Sequence, residues 1–204
     1  AARAQYISDD FHACTLDPVW TFVDPSGGGS AAIVDAYTAQ AHLALSVPGG
    51  AAHEFWNDAA GAPHVLQPMT DTDFTAAVKF LAPPTTHNGQ EGIVVRQGDN
   101  SWLRLEIFRN EADQLRAAMV GWPTLVLFDV PLPSAPSAPV CLRVTRAGDL
   151  WTMEWSADGA AWQLLGVPST YAMQADGIGV YAGNRGLAPA AHTVQVDWFG
   201  AVPG

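Results

Sequence analysis

Charge is what this sequence lacks most. Charged residues make up 14% of its 204 positions, against roughly a quarter in ordinary soluble domains. Lys79 is the single lysine, the eight arginines are scattered, and the formal net charge is −11. A phosphate backbone is held by clustered Lys and Arg, so nucleic-acid binding is excluded, and attraction to an anionic membrane surface with it. Cysteine is nearly missing too. Cys14 and Cys141 either pair, closing a long loop worth a few kcal/mol, or remain two free thiols, and no Cys/His set has zinc-ligand spacing. No apolar run reaches the roughly 18 residues of a membrane span, so no membrane insertion is expected. No helical period persists beyond two turns. The chain starts at Ala1, and residues 1–8 hold no signal-like apolar stretch. They read as a flexible lead on a processed protein, or on a module cut from a longer polypeptide.

What is present is apolar residues at 49%, arranged in short, regularly punctuated runs. Residues 91–110 (EGIVVRQGDNSWLRLEIFRN) carry the clearest pattern. Leu103, Leu105 and Ile107 share one face and Trp102, Arg104, Glu106 and Phe108 the other, as in a strand with one face in a core. Gly98, Asp99 and Asn100 supply the turn. Residues 73–81 alternate in the same way, with Phe74, Ala76, Val78 and Phe80 on one side. Residues 31–34, 42–47, 115–120, 141–146, 150–156, 162–165, 177–182 and 193–199 read as further strands. Residues 24–30 (DPSGGGS) and 131–139 (PLPSAPSAP) can only be loops. About a dozen short strands with no break in composition make one all-β sandwich domain over residues 1–204.

Several strings in this order resemble a known superfamily. DDF at residues 9–11 with Leu16–Asp17 and Trp20 is similar to the entry of concanavalin A-like lectin/glucanase domains. So are the 91–107 hairpin, the run LRVTRAGDLWTMEWSADGAAWQLL at 142–165, and the closing VDWF at 196–199. Within that superfamily the chain resembles a family of secreted bacterial domains often found beside glycoside hydrolases. The resemblance implies a jelly-roll sandwich of two curved antiparallel sheets, with any ligand on the concave sheet or its rim loops. It also implies a structural calcium ion, for which Asp9, Asp10 and Asp197 stand in matching places, with oxygen ligands suited to a hard cation. The other reading of these acids is that they accept backbone N–H bonds in loops.

Catalytic patterns are weak. The laminarinase-type hydrolases of this superfamily carry three acids on one strand, E-x-D-x-x-E or E-x-D-x-E. Glu111 and Asp113 begin such a motif, but Leu115 and Arg116 stand where the third carboxylate belongs. No nucleophile elbow or phosphate loop is found. Sugar binding asks for less: an aromatic ring for the C–H face, and planar donors and acceptors for the hydroxyls. Trp102, Arg104 and Glu106 form the best set, extended by His53 and Trp56 in the HEFWN stretch, Arg96 and Gln97 in the hairpin, and Tyr181 and Asn184. Trp151, Met153 and Trp155 share a face that reads as core. Trp20, Trp162 and Trp198 read as core or edge packing, and His192 as a surface or rim residue.

The expected function is therefore non-catalytic recognition of a polysaccharide or oligosaccharide by a secreted module, alone or beside other domains of a larger secreted protein. Two other readings stand next to it. One is a glycan-active hydrolase or lyase with a dispersed acid pair, Glu91 or Glu106 with Asp99. The other is a structural or adhesion module whose concave face is sealed.

Overall fold

The computed structural model describes residues 6–56, 59–133 and 139–201, and every regular element among them is a strand. In chain order these are β1 (Thr21–Val23), β2 (Ser30–Val34), β3 (His42–Val47), β4 (Phe55–Trp56), β5 (Ala59–Ala60), β6 (His64–Pro68), β7 (Phe74–Phe80) and β8 (Gly89–Gln97). There follow β9 (Ser101–Arg109), β10 (Leu115–Gly121), β11 (Leu125–Pro131), β12 (Val140–Ala147), β13 (Leu150–Ser156), β14 (Gln163–Thr170), β15 (Gly177–Asn184) and β16 (His192–Ala201). The first sheet has the order β1-β6-β15-β8-β9-β10-β11 and the second β14-β13-β12-β7-β16-β3-β2, seven strands each and antiparallel throughout. The two-stranded pair β4–β5 stands apart from both.

Alternation decides which side chains meet between the sheets. Leu103, Leu105 and Ile107 of β9 and Ile93 and Val95 of β8 are fully buried in one apolar cluster with Phe74, Val78 and Phe80 of β7. Each such side chain contributes on the order of 1.5–3 kcal/mol by leaving water. Trp151, Met153 and Trp155 of β13 join this core as expected, and Trp20 seals one edge of it. The β8–β9 hairpin pairs Arg96 with Trp102 and Gly92 with Glu106. Gly98 enters its three-residue turn at φ 60°, a conformation open to glycine at no steric cost.

Several expectations need correction. Tyr6 and Ile7, expected within a flexible lead over residues 1–8, are held in place. Tyr6 is buried, with ring centroids 6.1 Å from both Phe74 and Phe199, and its hydroxyl donates to Thr75 O. The Ile7 backbone exchanges hydrogen bonds of 2.7 and 2.9 Å with the Gln67 amide. Residues 1–5 lie outside the described residues, as do residues 134–138 of the proline-rich segment. Cys14 is exposed, Cys141 is buried, and both are free thiols. β6 and the β4–β5 pair carry too little alternation to be seen in sequence, since His64 and Gln67 interrupt the apolar pattern between Pro63 and Pro68.

Candidate functional site on the outer face of the first sheet

A second apolar cluster lies on the far side of the first sheet, away from the main core. It unites Val94, Trp102, Phe108, Ala118, Val120 and Tyr181 with Phe55 and Ala62. The cause is the short β4–β5 pair, which lays Phe55 across the sheet. The Phe55 ring centroid stands 5.6 Å from Trp102, 5.2 Å from Tyr181 and 5.3 Å from His64. Trp102, Arg104, Glu106 and Tyr181 thus face away from the core as their spacing requires, yet all four are buried. The expectation that they line an open face fails because Phe55 covers them.

Beneath Phe55 lies a dense polar group. Arg104 Nη1 donates to Phe55 O at 2.6 Å, and its Nη2 stands 3.5 Å from Glu106 Oε1. Glu106 Oε2 accepts the Tyr181 hydroxyl, and Gln90 Nε2 at 3.2 Å. Burial, with the Glu106 carboxylate beside it, pushes the Tyr181 hydroxyl well above its ordinary pKa. Three polar atoms of this group find no hydrogen-bond partner among the described residues: Trp102 Nε1, Arg104 Nε and Gln90 Oε1. Buried polar atoms are nearly always satisfied, and these three share the outward face of the first sheet.

Trp56, next to Phe55, reaches solvent, with 39% of its surface exposed. The Arg104 guanidinium stands 5.5 Å from its ring centroid, within cation–π range. Half-buried Glu54 lies two residues before Trp56. Burial raises the Glu54 carboxyl above its usual range, Arg104 and Arg185 oppose that rise, and Glu106 adds to it. Arg185 lies 4.5 Å from the Phe108 ring centroid. Glu54, Phe55 and Arg185 escaped sequence reasoning: Glu54 and Phe55 sit inside the recognised HEFWN stretch, whereas nothing local marks Arg185.

Nearer the β8–β9 turn, the same sheet bears a cavity of about 410 Å³ lined by Thr21, Val23, Leu66, Pro68, Arg96, Asp99, Asp176 and Gly177, among others. Arg96 is fixed there by donating from Nε to Gly98 O at 3.3 Å, from Nη2 to Gly98 O at 3.0 Å and to Asp99 O, and from Nη1 to His64 Nε2 at 3.1 Å. His64 is buried, and burial lowers its pKa to about 4. It is therefore neutral, with Nδ1–H donating to Ala62 O at 2.7 Å and Nε2 left to accept from Arg96. His64 is a further residue that sequence reasoning missed. Gln97 lies just outside the cavity, its Oε1 accepting the Gln174 amide at 2.9 Å.

The remaining expected positions serve the framework. His53 is buried, and its ring nitrogens contact Ala51 O at 2.9 Å and Gly27 O at 3.1 Å, which fastens the triple-glycine loop. Asn184 donates to Pro48 O and Ala190 O and accepts the His53 amide. Neither is free to meet a ligand. His192 opens β16 as a buried residue with its pKa lowered to about 4, so it is neither surface nor rim. Asp9 accepts from Phe11 N and Trp20 Nε1 at 2.8 Å each, Asp10 accepts from His12 N, and Asp197 pairs with Lys79 at 2.7 Å. Among the described residues no group of three or more His, Cys, Asp or Glu is placed to hold a metal ion. The acid pair of the enzyme reading also comes apart. Glu91 lies between the sheets beside Ile93, whereas Glu106 faces outward, and Asp99 sits in the turn before Ser101. Five residue steps lead from Ser101 to Glu106 along β9, on the order of 17 Å at strand rise, and paired catalytic carboxylates need about 5–10 Å.

A family profile described as "Protein of unknown function (DUF1349)" matches residues 38–197. No curated protein matches the chain. Among solved structures, the chain is similar to the Bacteroides ovatus protein "Xyloglucan PUL GH43B" at 23% identity and a TM-score of 0.69, covering 96% of this chain and 39% of that one. It is similar to the GH43 BlXynB protein from Bacillus licheniformis at 19% identity and a TM-score of 0.69, covering 96% and 39%. Lectin II from Ulex europaeus matches at 9% identity and a TM-score of 0.62, with 95% of each chain covered. The chain thus spans about two fifths of the length of these GH43 proteins. At such identities the likeness concerns the fold, which is a concanavalin A-like sandwich.

Proposed function

We propose that this chain, which belongs to the DUF1349 family, is a non-catalytic carbohydrate-recognition module that works outside the cell beside glycan-degrading domains. The observation that carries this reading is Trp56: an exposed indole, braced by Arg104, on a sheet face where three buried polar atoms have no hydrogen-bond partner among the described residues. The C–H face of a pyranose ring stacks on such an indole. Its hydroxyls can donate to Glu54 and accept from Arg185, both of which border the same group. Binding then needs no chemical step. The lectin and GH43 likenesses support the fold that such modules share, and the scarcity of surface charge suits an extracellular setting.

The test is affinity electrophoresis in gels loaded with xyloglucan, xylan, cellulose derivatives or laminarin, comparing the wild type with Trp56→Ala. Retardation by at least one polysaccharide is expected. Trp56→Ala should remove most of it, about 1–3 kcal/mol or a roughly 5- to 150-fold loss of affinity, without moving the melting temperature. Absence of retardation in every gel, or a Trp56→Ala protein retarded like the wild type, would overturn the reading.

A further inference from the structure

We infer that the cavity lined by Arg96, Asp99, Asp176 and Gly177 is a second subsite for a neutral sugar residue, so that the protein binds an extended oligosaccharide and not an isolated terminal unit. The inference rests on the carbohydrate reading above and deepens it.

Its volume, about 410 Å³, lies within the range of small-molecule sites. Val23, Leu66 and Pro68 give it an apolar floor, and Thr21, Arg96, Asp99 and Asp176 a polar border. That division matches a pyranose, with one C–H face and a belt of hydroxyls. Arg96 is held in a single pose before any ligand arrives, because the chain Ala62 O, His64 and Arg96 is hydrogen-bonded in one direction only. Four of its five N–H groups are engaged, which leaves one on Nη1 for a sugar oxygen. Asp176 is likewise fixed, its Oδ2 accepting Gly98 N at 2.7 Å.

Charge selects the class of sugar. Two carboxylates stand beside one guanidinium whose hydrogens are mostly taken, and the whole chain carries −11. A uronic acid, sulfate or phosphate would meet net repulsion here, while a neutral pentose or hexose can donate to Asp99 and Asp176.

Register sets the distance to the first subsite. Arg96 pairs with Trp102 on β9, and Arg104, which braces Trp56, lies two residues further along the same strand. The cavity is centred further across the sheet, where β6 and β15 supply Leu66, Pro68 and Gly177, so two to three strand spacings place the sites on the order of 15 Å apart. A chain of a few sugar units can therefore occupy both.

Gly177 supplies a clean obstruction. A Cβ at this position would meet nothing nearer than Arg96 Cβ and Gln67 O, each at 3.7 Å, so a side chain can start from here on the Arg96 side of the sheet. The experiment is isothermal titration calorimetry with xylo- and cello-oligosaccharides of one to six units, using wild type, Gly177→Leu and Trp56→Ala, each checked by melting temperature. For the wild type, affinity should climb at least tenfold with length until both subsites are filled. Gly177→Leu should cancel that climb while leaving the weak binding of the shortest ligands intact, and Trp56→Ala should weaken every length. Affinity that does not depend on length, or a climb that survives in a folded Gly177→Leu protein, overturns the second subsite and leaves the Trp56 site standing. If none of these sugars binds the wild type, the second subsite falls, and the carbohydrate reading falls with it when every polysaccharide gel is silent as well.

Discussion

At the scale of single residues, Trp102 and Trp56, expected in one ligand-binding set, part company: Trp102 is fully buried and Trp56 is exposed. Period-two alternation puts Trp102 on the face turned from the core, and the structure agrees. What alternation cannot encode is a segment from elsewhere in the chain that covers this face, and Phe55 does so, nearly fifty positions earlier. Trp102→Ala is therefore a stability mutation. Truncating a fully buried Trp should cost about 3–5 kcal/mol, read as a drop in the denaturant midpoint at constant slope. A Trp102→Ala protein with unchanged midpoint would mean that Phe55 does not pack on it in solution. His64 teaches the same lesson in reverse. In sequence it is one histidine directly after Pro63, and its part in fixing Arg96 emerges only when β6 and β8 flank β15.

At the scale of elements, legibility followed the strength of alternation. β7, β8, β9, β12, β13 and β15 were readable because one face of each is apolar and meets the other sheet. The β4–β5 pair was not, for its two-residue strands are too short for any period to register. That pair makes the difference between an open sheet face and a covered one, so the fold was more legible than the site. The acids near the entry were ambiguous for a related reason. Asp9 and Asp10 suit a cation as well as a turn in sequence, and nothing local announces the Phe11 and His12 amides and the Trp20 indole that they accept from.

At the scale of the whole molecule, buried ionisable groups set how stability responds to pH. Burial holds His64 and His192 neutral down to about pH 4, whereas an unfolded chain protonates them near 6.5. Between those values the unfolded state binds more protons, so stability is full above pH 6.5 and falls as pH drops toward 4. Glu91 acts with the opposite sign. Fully enclosed between the sheets, its carboxyl is pushed well above its usual range by desolvation, so its favourable contribution is present below about pH 4.5 and is lost as pH rises. Glu91→Gln should therefore raise the melting temperature at pH 7 and make the acid-side decline steeper than in the wild type. A Glu91→Gln protein less stable than wild type at pH 7 would mean that Glu91 is ionised and paired in the native state.

The site itself is judged most directly by a crystal of the protein soaked with a xylo- or cello-oligosaccharide at high resolution. Sugar density should lie on the outer face of the first sheet, one ring parallel to the Trp56 indole and another unit toward Arg96. Density confined to loops elsewhere on the sandwich, with Trp56 bare, would contradict it.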